Sequence, residues 1–354
     1  MPAEQLYQIL AKGAANWNEW RSQFPHMIVN LSLVDLNHQD LEWIDLSHTN
    51  LSQAQLNHTN LSGASLRNAD LETANLDHAN LSGADLFGAN LQEASLVEAT
   101  LTGASLANTN LNYASLLETE LDEANLNNAT LVGANLTWSN FTKADLGGAN
   151  LDHANLSGAN LNQASCKSAT FIQSNCRGVS LVAADLTAAS FRAAELVGAD
   201  LTNANLTWAD LKKAWLCGTK LTRANLRAAE LSEADCSGAD FSQTELSGAN
   251  LEWATLAETK FNGAVMIEAN LNGANLRGAS LEGVNLTGSK ITSALLNGAN
   301  LRNAILIDVD FSGSDLRDAI LTGAEMKGAS LQNTKLDHKI SLAAHGMEVE
   351  LELS

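Results

Sequence analysis

Apolar residues recur along this chain with a period of five. Every fifth residue from Leu31 to Leu336 is apolar, and these 62 centre positions hold 50 Leu, 6 Phe, 3 Cys, 2 Met and 1 Ile. The residue two before each centre is Ala in 43 repeats and nearly always Ser, Thr or Val in the others, with Gln39 and Ile44 as exceptions near the start. A period of five fits neither a helix nor an extended strand, so we predict one turn of the chain in every repeat.

This pattern predicts an all-β solenoid. If each repeat forms one side of a square, four repeats close a coil of 20 residues, and the 310 residues of the repeat form about 15 coils. Coils stacked at the spacing of β-strands would build a rod of about 74 Å. We expect the centre residue and the small residue two before it to point inward and form a dense core.

Glycine and proline support a turn at a fixed place in each repeat. Of the 24 glycines, 21 lie two residues after a centre, from Gly63 to Gly328. Glycine is favoured where the backbone needs a positive φ, so we predict a corner there. Proline, which cannot donate a backbone hydrogen bond, is absent from the repeat; Pro2 and Pro25 both precede it.

The repeat units resemble a known consensus. Segments such as Ala84-Asp85-Leu86, Ala149-Asn150-Leu151 and Ala199-Asp200-Leu201 are similar to the A(D/N)LXX motif of pentapeptide-repeat proteins, and the likeness covers about nine tenths of the chain. This resemblance implies a right-handed quadrilateral β-helix. The right hand of the coil comes from the family alone.

The two ends of the chain follow other patterns. Residues 3–24 show apolar residues at helical spacing, which predicts one amphipathic helix that ends at Pro25 and covers the first coil. Trp17-Asn18-Glu19-Trp20-Arg21 resembles the Trp-Asn-x-Trp-Arg segment that precedes the repeats in many cyanobacterial members. The tail alternates apolar and acidic residues from Met347 to Leu353, which predicts a strand that either caps the last coil or pairs with another copy. The predicted domains are therefore an N-terminal capping helix (1–27), the β-helix (28–337) and a C-terminal tail (338–354).

Charge and composition narrow the range of partners. Forty acidic and 20 basic residues give a formal net charge of −20. Such a charge disfavours direct contact with nucleic-acid phosphates and with anionic membranes. No apolar stretch is long enough to span a membrane and no leader pattern precedes the helix, so the sequence predicts a cytoplasmic protein. It predicts no cofactor.

Two groups of outward residues are candidates for binding. His38, His58 and His78 are 20 residues apart and would form a column, a weak candidate for a metal site, with solvent-exposed histidines as the alternative. Exposed apolar side chains are candidates for protein contact, although they could equally result from drift in a tolerant repeat. They are Val97, Leu117, Trp138, Trp208, Trp215, Trp253, Val265, Ile267, Ile305 and Ile307. The group nearest the C-terminus is the candidate surface for a homodimer.

Catalytic motifs are missing from the sequence. We find no phosphate-binding loop, nucleophile elbow or HExxH motif, and carboxylates dispersed over convex walls do not form the concave site that catalysis needs. The sequence therefore predicts a non-enzymatic protein that binds a regulatory or assembly partner through the surface of its repeats. The resemblance to pentapeptide-repeat proteins implies an alternative, since some members of that family are acidic mimics of DNA that inhibit or protect type II DNA topoisomerases.

Overall fold

A computed structural model describes residues 3–25 and 27–337 of the chain, without the side chains of Ala3 and Glu4. It divides into two compact units, Met1–Asp185 and Leu186–Ser354, and each is described by itself. The predicted C-terminal strand lies outside the described residues.

The first unit begins with two helices, where the sequence predicted one. Helix α1 spans Ala3–Leu10 and helix α2 spans Ala14–Gln23. Gly13 separates them because its φ of 94° lies outside the helical range. Helix α2 ends before Phe24, whose conformation is restricted by Pro25. Within the described ranges, neither helix is long and apolar enough to cross a membrane.

Parallel pairing over 20 residues defines the coil. Strand β1 (Val29–Asn30) pairs in parallel with strand β2 (Thr49–Asn50), with Val29 opposite Thr49. Single parallel bridges then repeat at the same spacing, from Asp35–Gln55 to Ser165–Asp185 in the first unit and from Ser190–Asp210 to Asp315–Lys335 in the second. The predicted coil of 20 residues with four sides is therefore present in both units.

Each repeat has five positions with fixed roles. In order they are the inner position (two before the centre), the wall position (one before it), the centre, the turn position (one after it) and the corner position (two after it). The Val34 amide donates to the Leu31 carbonyl and closes a turn at 3.2 Å. The Leu36 amide donates to the Gln55 carbonyl, and the Gln55 amide to the Val34 carbonyl, both at 2.8 Å. These bonds join one coil to the next along every wall.

The corner conformation belongs to the coil and not to glycine. Every corner position from 33 to 333 has a positive φ, and 40 of these residues are not glycine. They include Thr73 at 54° and Trp138 at 59°, although side chains are strained in this region. Glycine confirms the predicted place of the corner, and the ladder bonds impose the same φ on residues that do not favour it.

The core holds the predicted residues. Centre positions from Leu31 to Met326 are buried, and the inner alanines pack beside them. Several buried inner hydroxyls donate to a centre carbonyl of the preceding coil, as Thr59 does to Leu36 at 2.8 Å, whereas Ser174 and Thr244 donate to the centre carbonyl just before them. Gln39 is an exception, because this inner residue is exposed.

The core cysteines are free thiols, as predicted. Cys166, Cys176 and Cys236 are buried at centre positions. Burial raises the pKa of Cys176 to about 12 and that of the other two thiols also. They act as small hydrophobic residues, and two of them precede and follow the larger Phe171 along the chain.

Candidate interaction surfaces

Polar wall residues make the outer face of most coils. An Asn or Asp at a wall position accepts a hydrogen bond from the amide at the turn position two residues later. Asp85 accepts from the Phe87 amide at 3.1 Å, and Asn140 accepts from Thr142 at 3.1 Å. Asn side chains at wall positions also form hydrogen bonds from coil to coil. Asn110 Nδ2, for example, donates to Asn90 Oδ1 at 2.9 Å. An Asn or Asp at the wall position therefore stabilises both its own turn and the stack.

Apolar wall residues occur only in the second unit. Every wall position from 30 to 185 is polar. The five apolar or aromatic wall residues from 186 onward are Trp215, Val265, Leu295, Ile305 and Ile320. None of them has a side-chain acceptor. The turn amides that follow them, at 217, 267, 297, 307 and 322, have no hydrogen-bond partner among the described residues.

Four of the predicted contact residues lie on one side of the second unit. Val265 and Ile267 occupy the wall and turn positions of one coil, and Ile305 and Ile307 the same positions two coils later. All four are half-buried. Val265 and Ile267 line a shallow depression of about 400 Å³ whose other lining residues are Arg227, Glu245, Ser247, Gly248 and Glu268. The polar coil of Asn285 separates the two apolar pairs.

The predicted aromatic contact residues at corners pack against glycine of the next coil. A β-carbon built on Gly158 would lie 2.4 Å from Cε3 of Trp138, and one built on Gly273 would lie 2.3 Å from Cε3 of Trp253. Trp43 over Gly63 and Tyr113 over Gly133 repeat the arrangement. Trp208 is the exception, since Ala228 follows it one coil later. Packing on glycine therefore explains why the other four rings lie at exposed corners. The sequence did not predict this packing, although each of these four aromatic residues is followed by a glycine 20 residues later.

Trp215 differs from the corner aromatics. It lies at a wall position and its side chain is 55% exposed. Its backbone bridges to Glu195 and Asp235. Cys217, two residues later, is partly exposed, and burial raises the pKa of its thiol. The other predicted patch, at Val97 and Leu117, is half-buried on the same side of the first unit as Trp138.

The predicted histidine column is present and stacked. The rings of His38 and His58 lie 5.0 Å apart at 8°, and those of His58 and His78 lie 4.6 Å apart at 4°. His78 Nδ1 is 3.5 Å from Oε2 of Glu98. Parallel rings hold their nitrogens side by side and do not converge on one point. Within 3–25 and 27–337, no group of three or more His, Cys, Asp or Glu could hold a metal ion.

Basic residues between 167 and 227 pair with carboxylates of neighbouring coils. Lys167 lies 3.2 Å from Asp185, and Lys213 lies 3.4 Å from Glu233. Lys212 and Lys220 pair with Glu230 and Asp200 at 3.5 and 3.8 Å. These are exposed ion pairs, which contribute little to stability, but they neutralise much of the basic charge of this stretch.

A buried carboxylate stands near the end of the described repeats. Asp315 is 5% exposed, and Arg317 donates to it from Nε at 2.9 Å and from Nη2 at 2.5 Å. The Arg317 guanidinium holds the pKa of this carboxyl well below its usual range.

We expect Asp315→Asn to lower the free energy of unfolding by about 1 kcal/mol at neutral pH, a modest value because Arg317 is half exposed. The folded-state pKa is depressed, so the contribution of the ionised group is present above the unfolded pKa of about 4 and is lost as the pH falls below it. The difference in thermal unfolding midpoint between wild type and variant should therefore be largest at pH 7 and should decrease toward about pH 3. Asp310→Asn is the control, since among residues 27–337 the Asp310 carboxylate accepts from Ser312 alone and has no basic partner. A difference that stays constant with pH would contradict the assignment.

The period, the corner geometry and the stacked coils are those of one protein family. The sequence profile of pentapeptide repeats, in eight copies, matches overlapping segments that together span residues 30–333. The chain belongs to the pentapeptide-repeat family, and its coils form the right-handed quadrilateral β-helix of that family. No curated protein sequence matches it significantly.

Several solved structures of pentapeptide-repeat proteins are similar to the chain. HetL, involved in heterocyst differentiation regulation in the cyanobacterium Nostoc sp. strain PCC 7120, is 28% identical, with 70% of this chain and 86% of HetL covered and a TM-score of 0.31. Rfr23 from the cyanobacterium Cyanothece 51142 is 36% identical over 33% of this chain and 64% of Rfr23, with a TM-score of 0.18. QnrB1, a plasmid-mediated fluoroquinolone resistance protein, is 18% identical over 51% of this chain and 88% of that chain, with a TM-score of 0.34.

Proposed function

We propose that this protein is a non-enzymatic scaffold that binds a regulatory or assembly protein through apolar wall residues of its second unit. The observation that carries the proposal is the replacement of hydrogen-bonding wall residues by Trp215, Val265 and Ile305 in that unit alone. Exposed apolar side chains and tryptophan are typical of protein contact surfaces. We propose the cytoplasm as its compartment, in keeping with four free cysteines.

The stability lost at the apolar wall positions indicates that these residues are kept for a function. An apolar wall residue gives up the bond to its turn amide, which is worth about 1 kcal/mol where the amide is shielded from water. Residues that lower stability without helping the fold are characteristic of functional sites. Val265 and Ile305 each make this substitution, and each is followed by Ile at the turn position. Random drift toward apolar residues gives no reason for the wall and turn positions to change together.

We expect Val265→Asn and Ile305→Asn each to raise the free energy of unfolding by about 0.5 to 1 kcal/mol. The side-chain oxygen of the new Asn would accept a hydrogen bond from the backbone amide of Ile267 or Ile307, as Asn270 Oδ1 does from the Asn272 amide at 3.2 Å. Chemical denaturation measures the change. Val265→Ala is the control, because it removes the apolar side chain without supplying an acceptor. A loss of stability in both Asn variants would contradict the proposed role of the missing bond.

The binding proposal is tested by capture with a variant that is not destabilised. Tagged wild-type protein and the double variant Val265→Asn, Ile305→Asn are compared in a lysate of the source organism. The matched control is Thr255→Asn with Ser280→Asn, two wall substitutions in the same unit that remove no apolar surface. A protein enriched by wild type and control, and lost from the double variant, supports the proposal. Equal enrichment by all three would remove the surface from consideration.

The topoisomerase alternative is separated by a direct assay. The net charge of −20 is the feature that favours a mimic of DNA. We expect the supercoiling reaction of bacterial gyrase to be unaffected by an excess of this protein. Inhibition of the reaction, or its protection from a quinolone, that persists in the double variant would replace the scaffold proposal by the alternative.

Two structural roles complete the proposal. We propose that α2 caps the first coil, since Trp17 and Asn18 bond to its backbone. We also propose that two copies associate through the C-terminal end, where Val265, Ile267, Ile305 and Ile307 are the apolar candidates and Ile320 lies on a neighbouring wall. Sedimentation of wild type beside Ile305→Asp tests that association.

A further inference from the structure

The backbone N–H and C=O groups at the outer edge of the first coil are only partly hydrogen-bonded. In later coils of the first unit, the wall amide donates to the preceding coil, as Gln55 does to Val34 at 2.8 Å. The first coil has no preceding coil. On one side, α2 supplies the partners: Asn18 Oδ1 accepts from the Asp45 amide at 2.8 Å, and Trp17 Nε1 donates to the Asp45 carbonyl at 2.6 Å.

The opposite side of the first coil, ten residues earlier in the 20-residue coil, is not paired in this way. The amide and carbonyl of Asp35 and the carbonyl of Asn37 have no hydrogen-bond partner among the described residues. These three groups correspond to those that Asp45 and Ser47 present to α2. An unpaired edge of this kind is a template for an added strand.

A groove lies beside this edge. It has a volume of about 390 Å³ and opens between the first coil and the end of α1. Its lining residues are Tyr7, Leu10, Ala11, Leu33, Val34, Asp35, Leu36, Gln39 and Leu41. Gln39 is the residue that breaks the pattern of small inner residues, and it is exposed at the groove. The sequence exception and the groove therefore fall at the same place.

The rim of the groove is acidic. Asp35 lines the groove, and Asp40 and Glu42 are exposed on the same stretch of the first coil. No Lys or Arg occurs between 22 and 66, and Lys12, beside the lining residue Ala11, is the one ammonium group next to the lining in the sequence. Such a rim favours a cationic partner through complementary charge. It disfavours the tail of a second copy, because Glu348, Glu350 and Glu352 would bring like charges to the rim.

We propose that this groove binds an extended peptide with alternating aliphatic and basic side chains. The peptide pairs as a strand with the backbone of Asp35 and Asn37. Its aliphatic side chains enter the groove between Leu10 and Leu36, and its basic side chains face the acidic rim. Backbone pairing supplies affinity, and the alternate side chains supply selectivity.

The test uses a fluorescein-labelled peptide of alternating Lys and Val, seven residues long, with fluorescence anisotropy as the readout. The peptide is expected to bind wild type, and Ala11→Arg is expected to weaken binding about tenfold or more, because it places bulk and positive charge in the groove. Ala15→Arg is the matched control, since Ala15 is also exposed, on α2, but does not line the groove. Circular dichroism verifies that both variants keep their helices.

Two further probes test the mode of binding. A peptide methylated on alternate backbone nitrogens on its edge-facing side should bind about tenfold more weakly, because it cannot donate to the carbonyls of Asp35 and Asn37. A peptide of alternating Glu and Val should not bind. The proposal is overturned if wild type does not bind the Lys peptide, if the methylated peptide binds equally well, or if Ala11→Arg has no more effect than Ala15→Arg.

Discussion

Trp17→Ala is expected to release α2 from the first coil and to lower the free energy of unfolding of the N-terminal coils by about 4 kcal/mol. Trp17 is completely buried, and its ring lies 5.0 Å from that of Trp20. Its Nε1 donates to the Asp45 carbonyl at 2.6 Å. The substitution removes a large apolar side chain and also leaves a ladder carbonyl without its donor, so the two losses add.

Hydrogen exchange read by mass spectrometry measures the effect where it should occur. Amides of residues 29–50 should lose protection in Trp17→Ala, while those of the second unit stay protected, because repeats are stabilised mainly by their neighbours. A milder pair of variants isolates the hydrogen bond. Trp17→Phe loses it, whereas Trp20→Phe does not, since Trp20 Nε1 has no partner among the described residues. Unchanged protection around Asp45 in Trp17→Ala would rule out the proposed cap.

Gly158→Ala is expected to cost about 3 kcal/mol, well above the cost of the same change at Gly103. Both glycines have a positive φ, 69° and 64°, so both variants carry the strain of an L-residue in that region. At Gly103 the new β-carbon meets nothing within 4 Å, and we expect about 1 kcal/mol there. At Gly158 it meets the ring of Trp138 at 2.4 Å, and the ring must move.

Equilibrium unfolding of the two glycine variants, of Trp138→Ala and of Gly158→Ala with Trp138→Ala measures the separate contributions. In the double variant the ring is gone, so the penalty of Gly158→Ala, taken relative to Trp138→Ala alone, should fall to that of Gly103→Ala. Equal penalties for the two glycine variants would show that Trp138 does not pack on Gly158. In that case its 66% exposure would again need a binding partner as its explanation.

The corner aromatics show where sequence reasoning about the candidate surface was limited. Trp138 and Trp253 were identified correctly as outward residues, and both are exposed. The sequence did not distinguish a ring that covers its neighbour from one that awaits a partner, because that distinction depends on the rotamer and on the residue one coil later. Trp215, at a wall position, has no such glycine, and its role in binding stays a prediction.

The sequence by itself determined the repeat, because a strict period of five places every centre residue at the same point of a recurring turn. The inward pair and the corner at the glycines followed from counting. The coil of 20 residues followed only on the assumption that each repeat forms one side of a square, and the bridge from Asp35 to Gln55 confirms it. The free buried cysteines followed from the same count.

Only the tertiary structure decided the features that depend on contacts between distant residues. It broke the predicted helix at Gly13 and directed Trp17 and Asn18 to the backbone of the first coil. It also placed Gln39 beside α1, where a groove opens. The physical reason is that a periodic pattern specifies which way each side chain points, whereas the partner at the end of a solenoid is set by packing between segments that share no period.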